Sequence, residues 1–441
     1  MKIDIELPPR KKRNTDFKGI NVLVPGPKPN SRKDRNRVHI DLSKFYQLPG
    51  WPKEFASQSP AQRAVELLYF ASLVYAIDRI FARKRAADGW TRFITVDIPI
   101  SNAEAWTKLA SKLEMLLGFL TGDIWVLSFS ENPILNPSVA ATNKLDFSDV
   151  CLFSGGADSL AGAIDLLTDA RRKQERVLLI GHYDITGPRE DQERLKKKIE
   201  EAYPTEFKLV QARIAPPRKA SENTFRSRSF VFLSLGVYAA QTIGPTARLV
   251  APENGPIALN IALTPSRSGS CSTRTMHPFF LEGFVDVLRV LGIQNEVINP
   301  FRFKTKGECL VDCSNRQLLE SAIHGSVSCA HAQRAAWWIR KDALNCGYCL
   351  PCLVRRAALH RLGLDKGVQY GIDVLAGEPI GSEARSDFRA FLDFRRDGFS
   401  EARIERLIKS TATISNLTES VRVVKRGLEE LNELLKANSW R

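Results

Sequence analysis

The stretch VCLFSGGADSLAGAIDLL, from Val150 to Leu167, joins an apolar run to an amphipathic run through a corner of small residues. The first run has the composition of a buried strand, and the second has helical spacing. Between them lies SGGADS, residues 154–159, with two glycines and three small polar side chains. Glycines let a backbone approach a ligand closely, and a helix N-terminus attracts anions. The pattern predicts a phosphate-binding corner.

The side chains of this corner suit the same purpose. The hydroxyls of Ser154 and Ser159 can donate to phosphate oxygens, while Asp158 can cap the helix or organise Mg²⁺. The corner is not a Walker A loop, because the Gly-Lys-Ser/Thr ending is absent. A plain structural turn is the alternative interpretation.

Strand-like and helix-like segments alternate around the corner. Four runs have the composition of buried strands: residues 149–153, 176–183, 207–214 and 247–254. Three helical patterns lie between them: residues 159–173, 188–203 and 226–243. Such alternation predicts an α/β fold in which a parallel sheet is doubly wound with helices on both faces. Ligands of such sheets bind at the carboxyl ends of the strands.

The chain of 441 residues is long enough for several domains. Helical spacing at 59–85 and 103–120 and alternation at 92–100 and 123–130 predict a small α+β domain. Past Gly371, the amphipathic pattern of residues 400–440 predicts one or two helices that pack against this chain or a second copy. We therefore expect four parts: a basic arm (1–40), an α+β domain (41–146), the α/β domain (147–370) and a helical C-terminal region (371–441).

The net charge of +15 is unevenly spread. Residues 1–40 carry eleven Lys or Arg against four Asp or Glu. A basic balance suits nucleotides, nucleic acid or an acidic protein, whereas a solvated arm is the simpler explanation. Neither a signal core nor an apolar run of about 18 residues is evident, so we expect a cytoplasmic protein without a membrane span.

Cysteine spacing predicts a metal site. Three of the eight cysteines lie within seven residues, in the run Cys346-Gly-Tyr-Cys349-Leu-Pro-Cys352. With Cys329 upstream, four thiolates can form a closed tetrahedral zinc site, which is typical of a structural role. A reactive cysteine pair and an iron–sulfur cluster are the alternatives. Cys309 and Cys313 are interpreted as buried thiols, although either could replace Cys329.

The corner and the cysteine run together resemble two motifs of one enzyme family. SGGADS resembles the pyrophosphate loop (PP-loop) of the ATP pyrophosphatases, of the adenine nucleotide α-hydrolase type. With C…CGYCLPCLVR, the chain resembles 7-cyano-7-deazaguanine synthase of the queuosine pathway over about residues 148–365. Four further segments agree with that family: Gln192, RSFVFLS from Arg228, Glu253-Asn254-Gly255 and Thr305-Lys306-Gly307-Glu308.

The resemblance implies an ATP-dependent ligase that adenylates the carboxylate of 7-carboxy-7-deazaguanine, with ATP, Mg²⁺ and Zn²⁺ bound. It implies that phosphate is held by Ser154, Gly155, Gly156, Asp158 and Ser159. It implies that His182 lies beside the adenine, and that Asp158, Lys306 and Arg228 are catalytic. A satisfied loop histidine and a surface ion pair are the alternatives for His182 and Arg228.

The chain also departs from that family. It is longer, HYDITGPREDQ replaces a Tyr-Gly-Gln-Arg-His segment, and Ser266–Pro278 is unlike the expected loop. In its added N-terminal domain it resembles synthase-like proteins of bacterial anti-phage defence systems of the Qat type. That resemblance implies transfer of the deazaguanine to an amine of a partner protein. A homo-oligomer is the alternative use of the C-terminal apolar stripe.

Three other functions stay open from the sequence. One is synthesis of free 7-cyano-7-deazaguanine from ammonia, as in the queuosine pathway. A second is modification of a tRNA base through adenylation, with the basic arm docking the nucleic acid. The third is a scaffold that binds nucleotide without turnover.

Overall fold

A computed structural model describes residues 62–131, 146–216, 220–222, 225–263, 276–378 and 385–440, together with Arg274. It also describes the backbone of two short antiparallel strands, β1 (Ile20–Leu23) and β2 (Arg37–Ile40). The rest of the predicted basic arm, the predicted helix start at Ser59 and most of Ser266–Pro278 lie outside the described residues.

The first described unit is a small α/β arrangement. Its elements are α1 (Gln62–Ile80), β3 (Phe93–Ile100), α2 (Ala103–Thr107), α3 (Ala110–Thr121) and β4 (Ile124–Glu131). The two strands are parallel, with Phe93 opposite Ile124. The helix predicted over 103–120 is wrong in one respect, because it breaks between α2 and α3. There Leu109 N donates to Trp106 O at 3.0 Å, three residues back, which is the tighter turn of a 3₁₀ helix.

A five-stranded parallel sheet forms the centre of the molecule. Its strands are β5 (Asp149–Leu152), β6 (Val177–Tyr183), β7 (Phe207–Arg213), β8 (Arg248–Val250) and β9 (Val297–Ile298). They are ordered β7-β6-β5-β8-β9, and every neighbouring pair is parallel. The predicted α/β fold with a parallel sheet is confirmed. β8 is shorter than the predicted strand, because the chain leaves the sheet after Val250.

Helices cover both faces of this sheet. They are α4 (Ala157–Lys173), α5 (Thr186–Ala202), α6 (Arg228–Ile243), α7 (Gly255–Leu259) and α8 (Pro278–Val290). Alternate strand residues point to opposite sides, so Val150 and Leu152 pack in one core with α6. Cys151 packs in a second core with α4 and α5.

The N-terminal unit shares the core on the α6 side of the sheet. Phe70 of α1 packs edge-on against Phe230 of α6, with ring centroids 5.7 Å apart. Asp78, at the far end of α1, accepts a hydrogen bond from Ser227 Oγ at 2.8 Å. The predicted boundary near residue 146 therefore does not correspond to a break in this core, and the four-part division of the chain stays a prediction.

α9 (Lys306–Val311) and α10 (Arg316–Ala322) pack in the second core, for example through Leu310 and Leu319. The remaining elements build a third core around the cysteine run. They are α11 (Leu350–Arg361), α12 (Arg385–Arg396), α13 (Glu401–Thr411) and α14 (Leu417–Ala437). The amphipathic pattern at residues 400–440 forms two helices, α13 and α14, as predicted, and α12 precedes them. Their apolar stripe packs against this chain, since Val424 and Leu428 share a core with Cys349.

Among the described helices, none combines the length and the hydropathy that a transmembrane span requires.

Candidate functional site

The glycine corner turns the chain from β5 directly into α4. Gly155 has φ +89°, a left-handed conformation that favours glycine. A Cβ atom on Gly155 would also lie 3.2 Å from Asp191 Cβ. Gly156 then occupies the N-cap position, and α4 begins at Ala157. The sequence prediction of a glycine-dependent corner at a helix N-terminus is therefore confirmed.

Two serine hydroxyls hold the corner in shape. Ser154 Oγ and Ser159 Oγ lie 3.1 Å apart, and Ser159 Oγ donates to Gly156 O at 3.0 Å. The amide of Gly156 donates to Ser154 Oγ at 3.3 Å. These contacts preorganise the loop, and the hydroxyls occupy the positions from which they could turn to an incoming oxyanion.

The corner opens into a cavity of about 260 Å³. Its walls come from the ends of β5 and β8, from α6 and from the start of α9. They include Leu152, Ser154, Gly156, Asp158, Ser159, Ser229, Phe232, Glu253 and Lys306. The chain runs outward from β5 to β6 and β7 on one side, then returns to β8 and β9 on the other. The cavity therefore lies where the strand order reverses, which is where open parallel sheets bind ligands.

A buried ion pair forms part of the cavity wall. Lys306 Nζ lies 2.5 Å from Asp158 Oδ1, and the two side chains are only 5% and 11% exposed. The second oxygen, Oδ2, accepts a hydrogen bond from Asn254 Nδ2 at 2.7 Å. The pair joins residues 148 positions apart in the chain. It sets a cation and its counter-charge beside the glycine corner.

This arrangement corrects one expectation for Asp158. The N-cap of α4 is Gly156, and Asp158 lies inside the helix, so Asp158 does not cap it. Both carboxylate oxygens are already engaged, by Lys306 and Asn254. Among the described residues, the one group of three or more potential metal ligands is the cysteine cluster. In this structure Asp158 thus holds Lys306 and Asn254 rather than the start of the helix.

Local sequence places Lys306 at the start of its helix. Thr305 is the N-cap of α9, and its Oγ1 accepts from Glu308 N at 3.1 Å. In return, Glu308 Oε2 accepts from Thr305 N at 2.8 Å. This reciprocal capping box ends the preceding loop at a defined residue and directs the first helical residue, Lys306, toward Asp158.

The sequence analysis did not identify Val327 and Ser328 as part of the site. Val327 N donates to Gly155 O at 2.9 Å, and Ser328 Oγ accepts from Ala157 N at 3.2 Å. Asn345 Oδ1 in turn accepts from Ser328 N at 3.0 Å. These contacts lay the segment across the glycine corner. Its only signal in the sequence is its position directly before Cys329.

His182 and Arg228 lie apart from this group. His182 is fully buried at the end of β6, where its Nε2 bonds to Ile214 O at 2.9 Å. Burial, followed by the nearby Arg228 charge, lowers the pKa of His182 to about 4. Arg228 donates to His182 O at the long distance of 3.5 Å. Neither residue is among those that line the cavity, whereas Ser154, Lys306 and the other corner residues are.

The four predicted cysteines form one cluster. The sulfur atoms of Cys329, Cys346, Cys349 and Cys352 all lie within 4.8 Å of one another. Cys346 Sγ and Cys352 Sγ are 3.6 Å apart, too far for a disulfide bond. Tetrahedral zinc with Zn–S bonds of about 2.3 Å requires sulfur separations of roughly 3.8 Å, so the donor set suits zinc. Cys329, rather than buried Cys309 or Cys313, supplies the fourth thiol.

Backbone amides donate to the sulfur atoms of the cluster. Cys329 Sγ accepts from His331 N at 3.2 Å and from Cys346 N at 3.3 Å. Gly347 has φ +88°, and a Cβ there would lie 2.2 Å from Ile372 O. The cluster therefore depends on a glycine inside the Cys-x-x-Cys turn. Because Cys329 follows Ser328 directly, the cluster also anchors the segment that covers the glycine corner.

Comparisons with known proteins identify no relative. No family model, no curated protein and no solved structure matches this chain. The chemistry of the site must therefore be argued from its own residues.

Proposed function

We propose that this chain is an ATP-dependent ligase of the PP-loop ATP pyrophosphatase type. Its substrate would be a 7-deazaguanine carboxylate, 7-carboxy-7-deazaguanine, and its acceptor an amine of a partner protein in an anti-phage defence system. The substrate and the acceptor rest on the resemblance of the two motifs described above. The reaction class also draws support from the geometry of the cavity.

The observation that supports adenylation is the set of groups that line the cavity where the strand order reverses. The N-terminus of α4, the glycine corner and the buried pair of Asp158 and Lys306 all line the same 260 Å³ space. A helix N-terminus and a lysine favour a polyanion, and glycine at positions 155 and 156 allows the phosphates to approach the backbone. The combination suits the triphosphate of a nucleotide better than a neutral ligand.

The proposed chemistry has two steps. A carboxylate oxygen of the substrate attacks the α-phosphorus of ATP, the α–β bridging bond breaks, and pyrophosphate leaves. The amine nitrogen then attacks the carbonyl carbon of the acyl-adenylate, AMP leaves, and the amine loses a proton to solvent. Ser154, Ser159 and the corner backbone would hold pyrophosphate, and Lys306 would offset the charge that develops on phosphate. Mg²⁺ would arrive with the ATP phosphates.

The cysteine cluster fits a structural role in this proposal. Four sulfur donors close the coordination shell of zinc, so a bound ion would keep no open position for substrate. When bound, the metal would cross-link the chain and would take no part in the reaction. Through Ser328 and Val327 it would hold the segment that contacts Gly155 and Ala157.

The test is exchange of radiolabelled pyrophosphate into ATP in the presence of 7-carboxy-7-deazaguanine. We expect exchange that depends on the carboxylate substrate. The variant S154A/S159A should lose most of it, because the corner loses two hydroxyl donors. S148A is a matched control, since Ser148 precedes β5 and lies at the opposite end of that strand. Absence of carboxylate-dependent exchange in the unmodified chain would refute the proposal.

Intact-protein mass spectrometry with quantification of AMP identifies the acceptor. AMP release with a deazaguanine-sized mass gain on a polypeptide encoded beside this chain supports conjugation. AMP release with free amide or nitrile would instead assign the queuosine-type reaction. AMP release with adduct on tRNA would assign base modification.

A further inference from the structure

The segment that carries Lys306 is held from the C-terminal side by α14. Glu430 of α14 is 6% exposed and reaches both neighbours of Lys306. One carboxylate oxygen accepts a hydrogen bond from Thr305 Oγ1, and the other accepts from Gly307 N at 3.2 Å. Arg361 Nη1 also donates to Glu430, which leaves the buried carboxylate with a cationic partner.

Gly307 shows how closely Glu430 approaches the backbone. A Cβ atom at position 307 would lie 2.6 Å from Glu430 Oε1. A side chain there would displace the carboxylate, so the glycine is required for this contact rather than for a special backbone angle.

Arg426, one turn before Glu430 on α14, also binds the segment around Lys306. Arg426 Nε donates to Glu308 Oε1 at 2.7 Å, and its Nη2 donates to Phe303 O at 2.9 Å. Glu308 is the capping-box residue of α9, so Arg426 binds the same first turn of α9 on the far side of Lys306. Residues on both sides of Lys306 are thereby bonded to one helix.

Burial of Glu430 requires a compensating arrangement. Burial outweighs the hydrogen bonds from Thr305 and Arg361 and raises the pKa of this carboxyl above its ordinary value. A buried carboxylate is costly unless its oxygens are bonded. Here the bonds converge on the turn that presents Lys306 to Asp158.

We propose that Glu430 is a positioning residue for Lys306, so that the C-terminal helix α14 fixes the lysine in the wall of the cavity at the glycine corner without lining that cavity. Glu430 touches no cavity atom and acts through Thr305 and Gly307. The catalytic part of this inference rests on the proposed function, whereas the geometric part does not.

The geometric test measures the reactivity of Lys306. The full chain is treated with an acetylating N-hydroxysuccinimide ester, and acetylation of Lys306 relative to exposed Lys436 is followed by peptide mass spectrometry. In E430A we expect Lys306 to react roughly tenfold faster than in the unmodified chain. The reason is that the buried hydrogen bonds that Glu430 accepts from Thr305 and Gly307 are lost. E430Q should give a smaller increase, because the amide keeps the shape and one acceptor oxygen. E433Q is the matched control, since Glu433 is exposed on the same helix, and it should change nothing.

The catalytic test applies the same variants to pyrophosphate exchange. A misplaced lysine should lower kcat by roughly 10- to 100-fold with little change in the KM for ATP. E430Q is the deciding variant, because it preserves packing volume, and its fold is checked by thermal unfolding. If Lys306 stays as protected in folded E430Q and E430A as in E433Q, the positioning role is refuted. If Lys306 becomes reactive while the unmodified chain shows no exchange, the positioning role stands and the proposed ligase function fails.

Discussion

Replacing Lys306 by methionine should destabilise the protein far more than a typical loss of a lysine. The change leaves Asp158 as a buried carboxylate without its cation, since the two side chains are 11% and 5% exposed. Breaking such a pair costs about 3–5 kcal/mol. Asp158 keeps its hydrogen bond from Asn254 Nδ2 at 2.7 Å. We therefore expect the lower end, about 3 kcal/mol of unfolding free energy.

The same segment offers a matched control. Lys304 Nζ lies 2.9 Å from Asp312 Oδ2, and these side chains are 40% and 51% exposed. Exposed pairs contribute about 0–1 kcal/mol, so K304M should be nearly neutral. The double variant D158N/K306M removes both charges and should recover most of the loss seen in K306M.

Urea unfolding followed by tryptophan fluorescence measures all four proteins. The reasoning requires K306M to be clearly less stable than both K304M and the double variant. If K306M unfolds at the same urea concentration as K304M, the pair is not buried as described, and the cation would not stand beside the glycine corner. This outcome does not depend on any assay of activity.

Three further predictions concern other parts of the molecule. C349S should lose bound zinc in elemental analysis, whereas C313S should retain it, because Cys313 lies outside the cluster. G347A should destabilise the protein at least twice as much as G363A in thermal unfolding. Both positions have positive φ, but a methyl group at Gly363 meets open space while one at Gly347 meets a carbonyl oxygen. Burial raises the pKa of Asp123, yet hydrogen bonds and charge from two buried arginines outweigh this and hold it below its ordinary value. Its stabilising contribution is therefore complete above the unfolded pKa of about 3.9 and is lost as pH falls through the lower folded value. D123N should show a weaker loss of stability in urea unfolding between pH 5 and pH 2.

Local patterns in the sequence were sufficient for the elements nearest the site. The change from an apolar run to helical spacing at residues 153–157 predicts a strand followed by a helix, and both exist. Gly155 lies between them, with φ +89°. The spacing of Cys346, Cys349 and Cys352 predicts a shared metal site. These features depend on residues close together in the chain, so periodicity and spacing reveal them.

The ends of several helices could not be predicted from the sequence. A single helix was expected over 103–120, yet it breaks at Leu109, and the helix Arg385–Arg396 was not predicted. The apolar stripes alone do not specify where a helix stops, because tertiary packing competes with local propensity. The apolar stripe of α14 likewise did not specify which surface packs against it.

The sequence by itself determined that a glycine corner follows a strand and that four thiols can share a metal. Only the tertiary structure decided that Lys306 pairs with Asp158 across 148 residues. It also decided that Ser328 covers the corner and that Glu430 holds the turn around Lys306. His182 and Arg228 shared the same sequence-level argument as Lys306, yet they lie outside the cavity lining. The physical reason is that a pairing of distant residues follows from the order of all five strands and the packing of the helices on them, which no local pattern contains.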